Sequence, residues 1–415
     1  MARVVFAMFG SLGDLHPVVA VARVLGGRGH DVAIATSEFY REKVGRLGFD
    51  FHALRPNLSL VDSGLVRRVM DGVRGSTFLM RDLVFPSVRD MYADLVALAP
   101  RVDALVASEL VCAAPLVAST TGVRWISYAL APVSLFSVHD APLLPGPPGT
   151  RLLQSLGPAG NRLLRLAAKR VSHRWWRPVR ALRRELGLPP GRSPLFEGKA
   201  SPRLNLALFS PVLQQPQPDW PSATVQTGFP FYDEPDAPLS PAVERFLTEA
   251  EPPLVFTLGS SAVHLAGDFY VRAAAAARLL GRRALLMLGS NAAPGDLPAS
   301  VQCCDYAPFA HVFPRAAAIV HQGGVGTTAQ ALRAGKPMVV VPFAHDQFDN
   351  AARVTRLGVA RTIPRQRSDA RRMAHELASL LAEERAADVA AGIGRRVRAE
   401  NGAVAAADAI ERVLR

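Results

Sequence analysis

Residues 317–350 place several kinds of chemistry in one short run: His321, glycines at Gly323, Gly324 and Gly326, the hydroxyls of Thr327 and Thr328, then Asp346, Gln347 and Asn350. The first part, AAIVHQGGVGTTAQALRAG, reads as a buried strand, a glycine turn and a helix. A helix start offers free backbone N–H groups and the positive end of its dipole, which together bind anions. Glycines let phosphate oxygens approach the main chain with no Cβ in the way, and the threonines add hydroxyl donors. The turn lacks the Gly-Lys-Ser/Thr ending of a P-loop and departs from the dinucleotide fingerprint.

Positioning such a turn requires a sheet. VVFAMFG (4–10) is a continuous apolar run ending in glycine, as a strand buried on both faces of a parallel sheet reads. A helix-period stretch from Pro17 to Leu25 follows, then DVAIAT (31–36), DALVAS (103–108) and WISYA (125–129). The same alternation restarts at PLVFTLGSS (253–261) and continues through a helix from Val271 to Leu280, then ALLMLG (284–289), MVVVPF (338–343) and ARTI (360–363). Between the halves, FPFYDEPDAPLSP (229–241) is dense in proline and acid and reads as a linker. The expectation is an α/β chain of two Rossmann-like, doubly wound domains facing across a cleft. Ligands would sit beyond the carboxyl ends of the strands, where both glycine turns lie.

The residues around the second turn resemble a known signature. His321, Gly323, Gly324, Gly326, Thr327 and Thr328, then Gly335, Pro337, Pro342, Asp346-Gln347 and Asn350, are similar to the donor-binding motif of inverting nucleotide-sugar glycosyltransferases, the large family that includes plant and macrolide enzymes. Tyr306-Ala307-Pro308 resembles the Trp-Ala-Pro that opens that motif. FGSLGDLHP (9–17) resembles the Gly-Ser-x-Gly-Asp-x-x-Pro of bacterial members, among them antibiotic, sterol and rhamnolipid glycosyltransferases. The likeness runs from the first strand to the last helix. It implies the GT-B fold, with an acceptor-binding domain over 1–228, a linker over 229–252, a nucleotide-sugar-binding domain over 253–395 and a C-terminal helix over 396–415 that crosses back to the first domain.

The resemblance also implies roles. His321 and the glycine turn would hold a diphosphate, with Ser260 and Ser261 donating from the other side and Tyr306, beside Ala307, stacking on the base. Asp346 and Gln347 would bond sugar hydroxyls. Gln330 stands where the family often has a ribose-binding Glu, so it can bond a hydroxyl but brings no charge. Asp14 falls where bacterial relatives place a carboxylate and is the expected base, with His16 the alternative base or an acceptor-site residue beside Ser11 and Gly13. Its competing reading is a carboxylate that merely caps the first helix. The chain holds no Asp-x-Asp, so no metal is expected, and no cofactor beyond a UDP- or TDP-linked sugar. The donor sugar, hexose or 6-deoxyhexose, and the nucleotide stay open. The expected acceptor is a small apolar hydroxylated molecule: a polyphenol, polyketide or lipid.

Bulk properties bound the alternatives. The 415 residues are half hydrophobic and a fifth charged, with a formal net charge of +13 carried mainly by Arg. Charge alone would admit nucleic acid or an anionic surface, but no other feature supports nucleic acid. Cys112, Cys303 and Cys304 have no metal-like spacing and fit a reducing, cytoplasmic compartment. Residues 151–192 carry eleven Arg or Lys against one acid, Glu185. Trp175, Val179, Leu182 and Leu186 there fall at helical spacing, as in an ordinary surface helix with a solvated Arg face, a flap, or a patch touching anionic lipid. Two functions sharing the architecture compete with transfer: a sugar-nucleotide 2-epimerase and a non-catalytic glycosyltransferase-like partner.

Overall fold

The apolar runs fold into two all-parallel sheets in the computed structural model, which describes residues 1–58, 62–147, 149–234 and 238–415. Residues 1–231 with 401–415 form one unit, and residues 232–400 the other.

The first sheet has strands β1 (Arg3–Ala7), β2 (Asp31–Thr36), β3 (Asp50–Ala53), β4 (Ala104–Ser108), β5 (Arg124–Ala129), β6 (Asn205–Ala207) and β7 (Thr224–Gln226) in the order β3-β2-β1-β4-β5-β6-β7. Val4 to Ala7 are buried to within 2%, as expected of a strand covered on both faces. The strand order reverses between β1 and β4, which pair Ala7 with Ala107. Such a switch point is where sheets of this class open a crevice for ligands. Helix α1 (Leu12–Gly27) leaves that point. It starts at Leu12 rather than Pro17 because Ser11 and Asp14 form a capping box, and Pro17 lies inside it. Three further helices cover residues 150–185: α2 (Thr150–Ser155), α3 (Pro158–Ser172) and α4 (Arg177–Glu185).

The second sheet repeats the plan. Its strands β8 (Leu254–Thr257), β9 (Ala284–Met287), β10 (Val301–Cys304), β11 (Ala318–His321), β12 (Met338–Val340) and β13 (Ala360–Thr362) run β10-β9-β8-β11-β12-β13. The switch falls between β8 and β11, where Val320 pairs with Phe256, so the turns after these two strands are neighbours. Helix α5 (Val325–Ala334) follows β11, and α6 (Gln347–Arg356) follows the turn after β12. Asp349 and Arg353 of α6 are each 1% exposed and paired at 2.7 Å.

The segment read as a linker is partly structured. Residues 232–234 belong to the second unit, and a helix over Pro241–Thr248 buries Val243, Phe246 and Leu247 behind a Ser240 cap. Residues 235–237 of that segment lie outside the described residues. The last helix, α7 (Gly402–Leu414), belongs to the first unit, where Arg28 bonds Asp408 at 2.7 Å and Glu411 at 3.0 Å, and His30 meets Glu411 at 3.1 Å. Among the described residues no helix is long and apolar enough to cross a membrane.

Candidate functional site

In the first unit the turn after β1 is built around a carboxylate. Asp14 Oδ2 accepts the Ser11 N–H at 2.7 Å, and Ser11 Oγ accepts the Gly13 N–H at 3.2 Å. The turn closes so tightly on Asp14 that a Cβ on Gly10, whose φ is +131°, would lie 2.1 Å from Asp14 Oδ2. Only glycine fits there. Burial raises the Asp14 pKa to about 6 against the pull of the Ser11 hydrogen bonds, and the Glu109 charge adds to the rise. Tyr40 and Tyr128 are pushed up in turn, first by burial and then by Asp14.

Glu109 directly follows β4, the neighbour of β1, which is why it reaches Asp14. Burial would raise its own pKa, yet Lys199 and a 2.5 Å hydrogen bond from Ser134 outweigh that and hold the carboxyl below its ordinary value. Glu109 thus stays ionised while Asp14 is poised near neutrality. His16 is two residues from Asp14 on the same helix, and groups so spaced point to different sides. A cavity of about 50 Å³ lined by Glu109, Tyr128, Ser134, Phe196 and Lys199 lies in the same unit. At that volume it has room for water but not for an acceptor.

In the second unit the turn after β11 is built around a helix start. Gly323 has φ +87°, and a Cβ there would press on Val340 Cγ1 at 2.7 Å and the Gln347 carbonyl at 3.0 Å. Gly324 is the N-cap of α5 and brings no side chain to its first-turn amides. Asp346 Oδ2 takes one of them, the Val325 N–H at 3.2 Å, and also accepts from Asn350 at 2.7 Å. The amides of Gly326 and Thr327 follow in the same turn. Thr328 Oγ1 and Gln322 Oε1 are buried there without a hydrogen-bond partner among the described residues, which leaves polar capacity for a ligand.

His321 sits at the base of this turn, fully buried. Its Nδ1 accepts the Gly323 N–H at 3.0 Å and its Nε2 faces Met338 Sδ at 3.3 Å. Burial lowers its pKa to about 3, so the ring is neutral and shapes the turn through the Gly323 amide rather than offering positive charge. Ser260 and Ser261 come alongside because β8 neighbours β11. A Cβ on Gly259 would lie 2.3 Å from Gln322 Nε2 and 3.2 Å from Thr327 Oγ1. Gln347 Oε1 accepts from the Phe343 and Ala344 amides at 2.8 and 3.1 Å, which closes the turn into α6. His345, between them, has φ +55°, a strained conformation of the kind found where a backbone is held for a task.

The residues expected at the base and ribose lie farther along the same face. Tyr306 is 56% exposed beside buried Ala307, and its hydroxyl donates to Glu234. Gln330 Nε2 is 3.5 Å from Asp233 Oδ1, and Arg333 grips that carboxylate through two bonds of 2.6 and 2.7 Å. A carboxylate therefore stands beside the neutral Gln330 after all, delivered by residue 233. Sequence reasoning missed Asp233 and Glu234, whose acidity was the available signal. It also missed Lys199, which nothing in its spacing ties to Glu109.

Comparison with known proteins decides the family. The chain is 34% identical to O-mycaminosyltylonolide 6-deoxyallosyltransferase of Streptomyces fradiae, over 96% of this chain and 94% of the relative. It belongs to the family 1 glycosyltransferases. Within this glycosyltransferase, residues 285–410 match the family model of the erythromycin biosynthesis protein CIII-like C-terminal domain. It is 29% identical to 4'-demethylrebeccamycin synthase of Lentzea aerocolonigenes over 99% of both chains. Its fold is GT-B. Spinosyn forosaminyltransferase SpnP superposes with a TM-score of 0.73 at 19% identity, covering 100% of this chain and 99% of that one. The glycotransferase of kitacinnamycin gives 0.70 at 23% identity with the same coverage.

Proposed function

We propose that this glycosyltransferase moves a hexose or 6-deoxyhexose from a UDP- or TDP-linked donor to a hydroxyl of a small apolar acceptor, with inversion and without a metal. The observation that carries the reading is the start of α5: a helix N-terminus capped by glycine, with the Ser260-Ser261 turn alongside and a shaping histidine beneath. Amides of Gly326 and Thr327, with the hydroxyls of Thr327, Ser260 and Ser261, would stabilise the negative charge of the departing diphosphate. Metal-held diphosphate requires oxygen ligands from carboxylates, and the absence of Asp-x-Asp from the chain supports an amide-based alternative. Asp346 and Gln347 would orient the sugar, Tyr306 the base, and Gln330 with Asp233 the ribose.

Asp14 would take the proton from the acceptor hydroxyl as it attacks the anomeric carbon opposite the leaving group. A carboxyl raised to about 6 is ionised at neutral pH yet more basic than an ordinary Asp, as general-base catalysis favours. Ser11, Gly13 and His16 would border the acceptor. The 6-deoxysugar in the name of the Streptomyces fradiae relative supports a 6-deoxyhexose, and a structure of glycosyltransferase VinC in complex with dTDP, similar in fold at a TM-score of 0.70 and 22% identity over 99% of both chains, supports a thymidine nucleotide. Free Cys112, Cys303 and Cys304 fit a cytoplasmic setting.

The test is incubation in EDTA with UDP-glucose or TDP-rhamnose and a panel of flavonoid and polyketide aglycones, read by mass and by the anomeric coupling of the product. A mass gain of one sugar with the inverted anomer is expected. Transfer that needs added Mg²⁺ would overturn the metal-free reading. Nucleotide binding without transfer to any aglycone would point to the non-catalytic partner.

A further inference from the structure

Helix α3 is inside out. Its protein-facing side is polar: Asn161 Nδ2 donates to the Val138 carbonyl at 2.8 Å, Arg165 bonds Glu197 at 3.3 Å and Asp219 at 3.5 Å, and Lys169 pairs with Glu197. Its outer side is apolar. Leu163, Leu166 and Val171, with Leu152 and Leu156 of the adjoining α2 and loop, are each between 57% and 72% exposed. An ordinary surface helix does the reverse. The two helices form one platform, because a Cβ on Gly160 would lie 1.8 Å from the Leu153 carbonyl oxygen. The following α4 anchors the platform, with Trp176, Val179 and Leu182 in the core of the first unit.

Arg151, Arg162, Arg170, Arg174 and Arg177 are exposed on the same stretch, Arg170 on the same helix stripe as Leu163 and Leu166, and residues 151–184 contain no acid at all. We propose that this face of α2 and α3 docks the protein on an anionic lipid bilayer, with the leucines entering the headgroup boundary and the arginines meeting lipid phosphates. Leucine and arginine on a short helix lying in the interface plane are the chemistry of such binding. A second copy of this chain is a poor occupant, since a two-fold contact would set arginines of one copy against those of the other with no acid between them. The face also lacks the exposed tyrosines and tryptophans that anchor protein partners.

The full-length chain is sedimented with phosphatidylcholine vesicles and with vesicles of seven parts phosphatidylcholine to three parts phosphatidylglycerol. At least tenfold more protein should partition to the anionic vesicles, falling with added salt. The double variant Leu163→Asp, Leu166→Asp should lose at least tenfold of that binding, while its melting temperature and nucleotide affinity stay at wild-type values. Arg162→Glu with Arg170→Glu should lose the anionic preference. Equal absence from both vesicle types, or unchanged binding by the leucine variant, overturns the proposal. So does a wild-type dimer in sedimentation velocity that the leucine variant abolishes.

Discussion

The two glycine turns share a local grammar and end with opposite electrostatics. Each follows a central parallel strand at a switch point and opens a helix. After β1 the helix start is closed by its own carboxylate, because Ser11 and Asp14 satisfy the first amides from within. After β11 the N-cap is Gly324, and the carboxylate that reaches the turn, Asp346, comes from a different loop and takes the Val325 amide. The first turn therefore holds a buried carboxylate of raised pKa, and the second leaves its helix start without a side-chain cap of its own. One residue at the N-cap, serine or glycine, separates the two tasks.

The sharpest way to break this contrast is to neutralise the first turn. Asp14→Asn keeps an oxygen for the Ser11 amide but no base. Transfer should fall by about 10²- to 10⁴-fold while calorimetry shows unchanged UDP or TDP affinity. Normal transfer by this variant would move the base to His16. Next in size is Gly323→Ala, which forces an L-residue into φ +87° against Val340 and Gln347. It should cost about 1–3 kcal/mol of stability, read by urea denaturation, and weaken nucleotide binding with little change in the pH profile. The smallest effect is in that profile. Only ionised Asp14 accepts a proton, so kcat/KM should rise with pH through about 6 and level off above it. Glu109→Gln removes a neighbouring negative charge and leaves Lys199 unmatched, so the midpoint should move down by roughly one unit. An upward or absent shift would show that Glu109 does not act on Asp14.

Most strands were legible because parallel strands buried on two faces leave continuous apolar runs such as VVFAMFG and MVVVPF, whereas β3, β6, β7 and β10, only three or four residues long and at or next to a sheet edge, leave no such run and were not read. The turns were legible because glycine and helix-start chemistry are local. Most of what escaped was set by partners far along the chain, the start of α1 with its local cap being the exception. Helix α1 begins five residues before Pro17 because of its cap, a short signal beside a helix breaker. Asp233 reads as linker until Arg333 captures it. The leucines and arginines of α3 would give the same amphipathic pattern whichever side faced inward. Glu197 and Asp219, well downstream, decide that the cations turn in. Of Trp175, Val179, Leu182 and Leu186, read at helical spacing, Val179 and Leu182 are buried and the other two pack partly buried against the same core, where Trp176 rather than Trp175 is the buried indole.

The chain enters the second unit near residue 231 and returns to the first near 400, so the second unit is an insertion in the sequence of the first. Recombining this enzyme with a relative at a single junction would graft a foreign tail onto α1 and place another protein's side chains opposite Arg28 and His30. Chimaeras meant to exchange the second unit alone need two crossovers, with the final fifteen residues kept from the parent that supplies the first strand.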